Sequence, residues 1–127
     1  MRLLITLLLA CIAGLAQAQT VGDPFAQADF LPANKAFVFS SETLASGQTR
    51  LHWKIADRYY LYQKRFKFDG LDATFQPALP EGQAHSDEFF GATQVYRDNV
   101  ELLIPAGASG HVKVTWQGCA DAGLCYP

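Results

Sequence analysis

The chain has one methionine, Met1, three histidines and three cysteines, and only 17% of its residues are charged. Each scarcity excludes something. With no second methionine, a thioether copper site cannot be assembled. Lys and Arg (10) are outnumbered by Asp and Glu (12). So mildly acidic a chain lacks the concentrated basic patch that a phosphate backbone requires, and nucleic acid is not expected as a partner. No internal repeat, low-complexity tract, dinucleotide-type glycine fingerprint or capped helical periodicity of useful length is present. No nucleotide, flavin or other cofactor is implied.

Long apolar runs are also scarce: there is one, at the start. Met1-Arg2 supplies a positive charge, Leu3 to Leu15 is almost unbrokenly apolar, and Ala16-Gln17-Ala18 reads as an A-x-A cleavage site. The run is short for a bilayer span and has the flanks of a secretory signal peptide. Residues 1–18 are therefore expected to be a leader and residues 19–127 one mature domain. A retained anchor, or lipid attachment at Cys11 after Leu8-Leu9-Ala10, fits less well. Arg2 is the only charge lost with the leader, which takes the formal net charge from −2 to −3. The mature chain has no second apolar run and so no expected membrane span.

What is abundant is aromatic and β-prone: nine Phe, five Tyr and two Trp. Leu51, Trp53 and Ile55 alternate with Arg50, His52 and Lys54. Val100, Leu102 and Ile104 alternate again, as do Val112, Val114 and Trp116. Period two with Pro, Gly, Asn and Asp punctuation predicts an all-β sandwich of the immunoglobulin-like kind. Residues 80–99 read as the longest non-strand stretch. Phe89, Phe90, Val95 and Tyr96 make it too apolar for a linker, and suit a loop that covers a site.

Removing the leader removes Cys11 and leaves Cys119 and Cys125, an even pair in an oxidising compartment, hence a disulfide first of all. As a staple it is poor: a seven-residue loop contributes about 2.4 kcal/mol, against about 4.7 for a hundred-residue loop. Gly118, Ala120, Ala122 and Gly123 leave the turn free to bend. Continued alternation puts Cys119 on the polar face with Lys113, Thr115 and Gln117, its sulfur accessible, unless a bulge at Gly118 reverses it. No Lys, Arg or His lies within the motif, and Asp121 disfavours a neighbouring thiolate. Redox exchange and a structural disulfide in a non-enzymatic binding module both remain open on this reading. A metal site from the two cysteines with His52, His85 or His111 is a weak ligand pattern, and no metal is expected.

The stretch GCADAGLCYP, residues 118–127, resembles the redox motif of the N-terminal periplasmic domain of the DsbD family of thiol:disulfide interchange proteins. The likeness extends to FLPANKAFVFS, ADRYYLYQKRF, HSDEFFG and VYRDNV. The resemblance implies an immunoglobulin-like sandwich and a periplasmic protein-disulfide reductase domain. Cys125 would form mixed disulfides with partners and Cys119 would resolve them. It further implies that Phe89 caps the sulfurs, with Tyr60, Tyr62, Asp87 and Glu88 around them. The implied partners are thioredoxin-like proteins: a reducing donor domain, and disulfide isomerases or cytochrome c maturation thioredoxins as acceptors. In that family the chain continues past Cys-Tyr-Pro with a further β segment and a membrane domain. A missing final strand, an exposed sheet edge and a need for a membrane partner in turnover are therefore expected.

Overall fold

In the computed structural model, residues 29–127 are described, and the expected leader 1–18 lies outside them. Ala33–Ala36 forms a single helical turn, its backbone closed by the Lys35 and Ala36 N–H groups on the Pro32 carbonyl. Nine strands follow: β1 (Phe37–Thr43), β2 (Thr49–Ile55), β3 (Tyr59–Tyr62), β4 (Lys67–Asp69), β5 (Gln83–Asp87), β6 (Gly91–Tyr96), β7 (Asn99–Ile104), β8 (Lys113–Thr115) and β9 (Gly118–Ala120). All pair antiparallel, in three sheets ordered β1-β2-β7, β5-β6-β3-β9 and β4-β8. The fold is the expected all-β immunoglobulin-like sandwich.

The alternation read from the sequence decides what fills it. Leu51, Trp53 and Ile55 of β2 and Val100, Leu102 and Ile104 of β7 point inward, as period two requires. They meet Tyr59 and Leu61 of β3, Phe66, Phe68, Tyr96 and Ala120 in one apolar core. Trp53 is its hub, with ring centroids 5.0 Å from Phe66 edge-on and 5.5 Å from Trp116. Burying side chains of this size contributes on the order of 1.5–3 kcal/mol each.

Residues 80–99 are not the non-strand stretch that was expected: most of them form the β5–β6 hairpin. The first strand, β5, reads as loop because neither of its faces is apolar. Gln83, Ala84, His85, Ser86 and Asp87 present no hydrophobic alternation, and pairing with β6 makes them a strand nonetheless. The hairpin runs past the end of β3, which β6 meets only at Leu61↔Tyr96 and Tyr62↔Val95.

Gly118 is required by close approach. A Cβ there would press on the Tyr60 carbonyl oxygen and sit 2.5 Å from Phe37 Cζ. Only glycine lets β9 lie flat against β3.

Candidate active site

The site is built by register on the face of the four-stranded sheet that turns away from the main core. Tyr60 pairs with Cys119, Tyr62 with Val95, and His85 with Thr93. Residues facing each other in a ladder share a face. Tyr60, Tyr62, Val95 and Cys119 therefore form a second, small buried cluster, with Cys125 packed on it. Thr93 is buried on the same face.

Cys119 and Cys125 are joined as a disulfide across an antiparallel bridge. Tyr126 N–H donates to the Gly118 carbonyl (2.9 Å) and Ala120 N–H to that of Leu124 (2.7 Å). The cysteines are thus a facing pair without mutual backbone bonds, the closer kind in an antiparallel ladder. The two sulfurs are not equivalent: Cys119 is fully buried, whereas Cys125 is half-buried beside exposed Leu124. The expected accessible position of Cys119 is overturned. Cys119 does lie on the face away from Trp116, but Tyr60, Tyr62 and Val95 cover that face.

Tyr62 Oη lies 3.1 Å from Cys119 Sγ and 4.0 Å from Cys125 Sγ. Its hydroxyl donates to Asp87 Oδ2, as does that of Tyr60 at 2.7 Å. The other carboxylate oxygen, Oδ1, accepts the backbone N–H groups of Phe89 (3.0 Å) and Phe90 (2.8 Å). Burial pushes the Asp87 carboxyl up, but the Tyr62, Phe90, Tyr60 and Phe89 hydrogen bonds outweigh it and bring its pKa down to about 2. Burial in turn pushes Tyr60 up to about 12, and raises Tyr62 further, the bonds to Asp87 adding to both. At neutral pH, Asp87 is therefore an acceptor only and both tyrosines are neutral donors. With its proton committed to Asp87, Tyr62 turns an oxygen lone pair toward Cys119 Sγ.

The remaining expected residues sit at the tip of the β5–β6 hairpin. Glu88 and Phe89 are exposed, and line a recess of about 220 Å³ together with Tyr60, Asp87 and Asp121. Phe89 is 45% exposed. The ring that packs on Tyr62 is that of Phe90, edge-on with centroids 4.6 Å apart, and Arg65 Cζ lies 5.5 Å over the Phe90 ring. Phe90, which the sequence offered only as part of a covering loop, is adjacent to the expected cap. Two contributors escaped the sequence reading. His85 packs on Tyr60 at 4.3 Å with Nε2 3.5 Å from Asp87 Oδ2. Its spacing of two from Asp87 was the available signal. Arg97 reaches the cysteine loop from β6 and pairs with Asp121, so the motif does have a cation beside it. Among the described residues no group of three or more His, Cys, Asp and Glu could hold a metal ion, and no helix is long and apolar enough to cross a membrane.

Residues 27–127 match the family model described as "Thiol:disulfide interchange protein DsbD, N-terminal". The DsbD of a Pseudomonas species is 63% identical over the whole chain, and DsbD 2 of Pseudomonas aeruginosa is 58% identical. The chain spans 22% of the length of each, about a fifth. Among solved structures, the reduced N-terminal domain of Neisseria meningitidis DsbD superposes with a TM-score of 0.65 at 37% identity, covering 76% of this chain and 82% of that one. The same neisserial domain in complex with the PilB N-terminal domain gives a TM-score of 0.62 at 36% identity, covering 79% and 82%. The family match over residues 27–127 and the extent of these likenesses show that the chain belongs to the family of DsbD N-terminal domains.

Proposed function

We propose that this chain is a periplasmic thiol–disulfide exchange module that accepts a reducing pair at Cys119/Cys125 and passes it to oxidised periplasmic proteins. The observation that carries the reading is the asymmetry of the pair. One sulfur is sealed under Tyr62 and the other half-open at the surface. A donor thiolate attacks Cys125 Sγ. Cys119 Sγ leaves with the electron pair, takes up a proton and becomes a thiol. The donor's second thiol then releases Cys125 as the donor closes its own disulfide. Delivery to an acceptor disulfide runs these steps in reverse, with Cys125 as attacking sulfur and Cys119 resolving the mixed disulfide.

The tyrosine–aspartate network suits this division of roles. Asp87 is the wrong group to take a proton at neutral pH, with its pKa near 2. It fixes the two phenols instead, so that Tyr62 Oη accepts the S–H of reduced Cys119 and keeps that sulfur a quiet thiol until a partner docks. Phe89, Phe90 and Glu88 at the hairpin tip stand where a partner would meet the pair, and Phe89 is proposed as the group that shields it.

Thioredoxin-like proteins fit as partners: a reducing donor domain, then disulfide isomerases and cytochrome c maturation thioredoxins as acceptors. Support comes from the neisserial relative, whose N-terminal domain forms a complex with the PilB N-terminal domain. Export by cleavage after Ala18 accords with the leader pattern of residues 1–18. Turnover is proposed to need a membrane partner domain.

The test is the reduction potential of the pair, read by equilibrating the protein in thiol buffers and counting alkylated cysteines by mass. A value of about −180 to −270 mV, where exchange proteins sit, is expected. Cys119→Ala should then trap a partner on Cys125. A value well below about −300 mV would mark a reduction-resistant bond and a stapled binding module instead.

A further inference from the structure

Arg97, in the VYRDNV stretch, plays no part in the exchange chemistry described above, yet its guanidinium joins three pieces of the site. Its two terminal nitrogens grip the Asp121 carboxylate, Nη2 to Oδ1 at 2.8 Å and Nη1 to Oδ2 at 3.1 Å. Nη1 also lies 3.5 Å from the Tyr59 carbonyl oxygen, and Cζ sits 5.2 Å over the Tyr60 ring. Thus a side chain entering from the end of β6 touches β3 and the loop between the two cysteines.

That loop has little else to hold it. Asp121, Ala122, Gly123 and Leu124 are all exposed, and Gly123 has φ of +105°. Besides the bonds at its two ends, a turn bond closes within the loop, Gly123 N–H to the Ala120 carbonyl (2.9 Å), and the Asp121 N–H ties it to the Arg58 carbonyl (2.8 Å). The Arg97 side chain is the more sheltered of the ion pair, 28% exposed against 42% for Asp121.

We propose that Arg97 is a positioning residue for exchange: by clamping Asp121 it holds the cysteine loop against the sheet, so that a folded partner's sulfur meets Cys125 along the axis of the Cys119–Cys125 bond. The inference rests on the exchange function proposed above. Attack on a disulfide forms the new sulfur–sulfur bond as the old one breaks on the far side, so approach direction matters. A small thiol can approach from any open side, whereas a docked protein brings its sulfur along one fixed path. Lysine supplies the charge but not the two-pronged grip.

The experiment measures how fast the oxidised whole chain is reduced by two reagents, reduced bacterial thioredoxin and dithiothreitol, with alkylation and mass as readout. Arg97→Ala should slow thioredoxin about fivefold, the scale of a partly exposed two-pronged ion pair, while leaving dithiothreitol as fast or faster. Arg97→Lys should fall between, and Asp121→Ala should act like Arg97→Ala. The double variant should be no slower than either single one, because the two residues share one contact. If Arg97→Ala does not fold, Arg97→Lys and Asp121→Asn carry the same comparison. Unchanged thioredoxin rates, or equal changes with both reagents, would overturn the inference while leaving the exchange function intact. A wild-type chain that thioredoxin cannot reduce withdraws both.

Discussion

Strand β3 has two faces that are equally hidden and chemically opposite. Tyr59 and Leu61 turn into the sandwich and meet Phe37, Trp53, Tyr96 and Ala120 among others in the main core. Tyr60 and Tyr62 turn the other way and meet Cys119, Val95 and the Asp87 carboxylate. All four residues are 7% exposed or less, so burial alone cannot tell the faces apart. Partners do. The inner face is held by dispersion and by water's exclusion from apolar surface, whose energy is spread over many contacts. The outer face is held by a few directional bonds converging on one charged group. A strand buried on both faces can thus serve as scaffold and as reaction floor at once.

Damage to the inner face should have the largest effect. Leu61→Ala removes a fully buried side chain from the inner face and should cost about 2–5 kcal/mol in urea unfolding. The exchange rate per folded molecule should stay as it was. A matching loss of exchange in the folded fraction would mean that the faces are not independent. Gly118→Ala strikes both at once, because its new Cβ collides with the Tyr60 carbonyl and the Phe37 ring. It should destabilise by about 1–3 kcal/mol, as overpacking does. It should also alter the reduction potential, since β9 carries Cys119.

The inner face was readable from the sequence and the outer one only in part. Leu51, Trp53 and Ile55 announce their common side because a half-buried strand alternates, and the sandwich follows from several such strands. Tyr60 and Tyr62 fit no alternation, since YYLY is buried throughout. They came into view through family likeness. The hairpin of residues 83–96 was missed because β5 is polar where it faces the cysteines' side of the sheet: His85 and Asp87 meet Tyr60 and Tyr62 instead of the main core. Cys119 does lie on the face away from Trp116, but its burial was missed because Tyr60, Tyr62 and Val95 cover that face. The Arg97–Asp121 clamp spans 24 positions, and no local pattern encodes such a pair.

On the outer face, Asp87→Asn removes the charge that accepts two phenols and two backbone N–H groups, and should cost about 1–2 kcal/mol at neutral pH. The acid limb of stability sharpens the test. In the folded protein the Asp87 pKa is about 2, below its ordinary 3.8. A depressed carboxyl contributes stability that is fully present above the ordinary value and is lost as pH falls through the folded one. The wild type should therefore lose stability between about pH 4 and pH 2, and the Asp87→Asn variant should lose less over that window. Equal acid limbs would mean that Asp87 is not the group that titrates.

Tyr62→Phe should have the smallest effect on stability, about 0.5–1.5 kcal/mol, because one hydroxyl goes and the ring against Phe90 stays. Its effect on Asp87 is nevertheless specific. Among the hydrogen bonds that lower the carboxyl's pKa, the one from Tyr62 is the largest. Removing it should move the Asp87 titration, followed by carboxyl NMR, upward from about 2 toward 3.8. In the reduced protein the same change strips Cys119 of the oxygen 3.1 Å from its sulfur. Alkylation of Cys119 in a Cys125→Ala background should then become faster than with Tyr62 intact. If the carboxyl moves and the sulfur does not, Asp87 and Tyr62 form a structural pair that merely lies beside the cysteines. If both move, the outer face of β3 is one coupled network, and its bond to Cys119 is what separates it from the inner face.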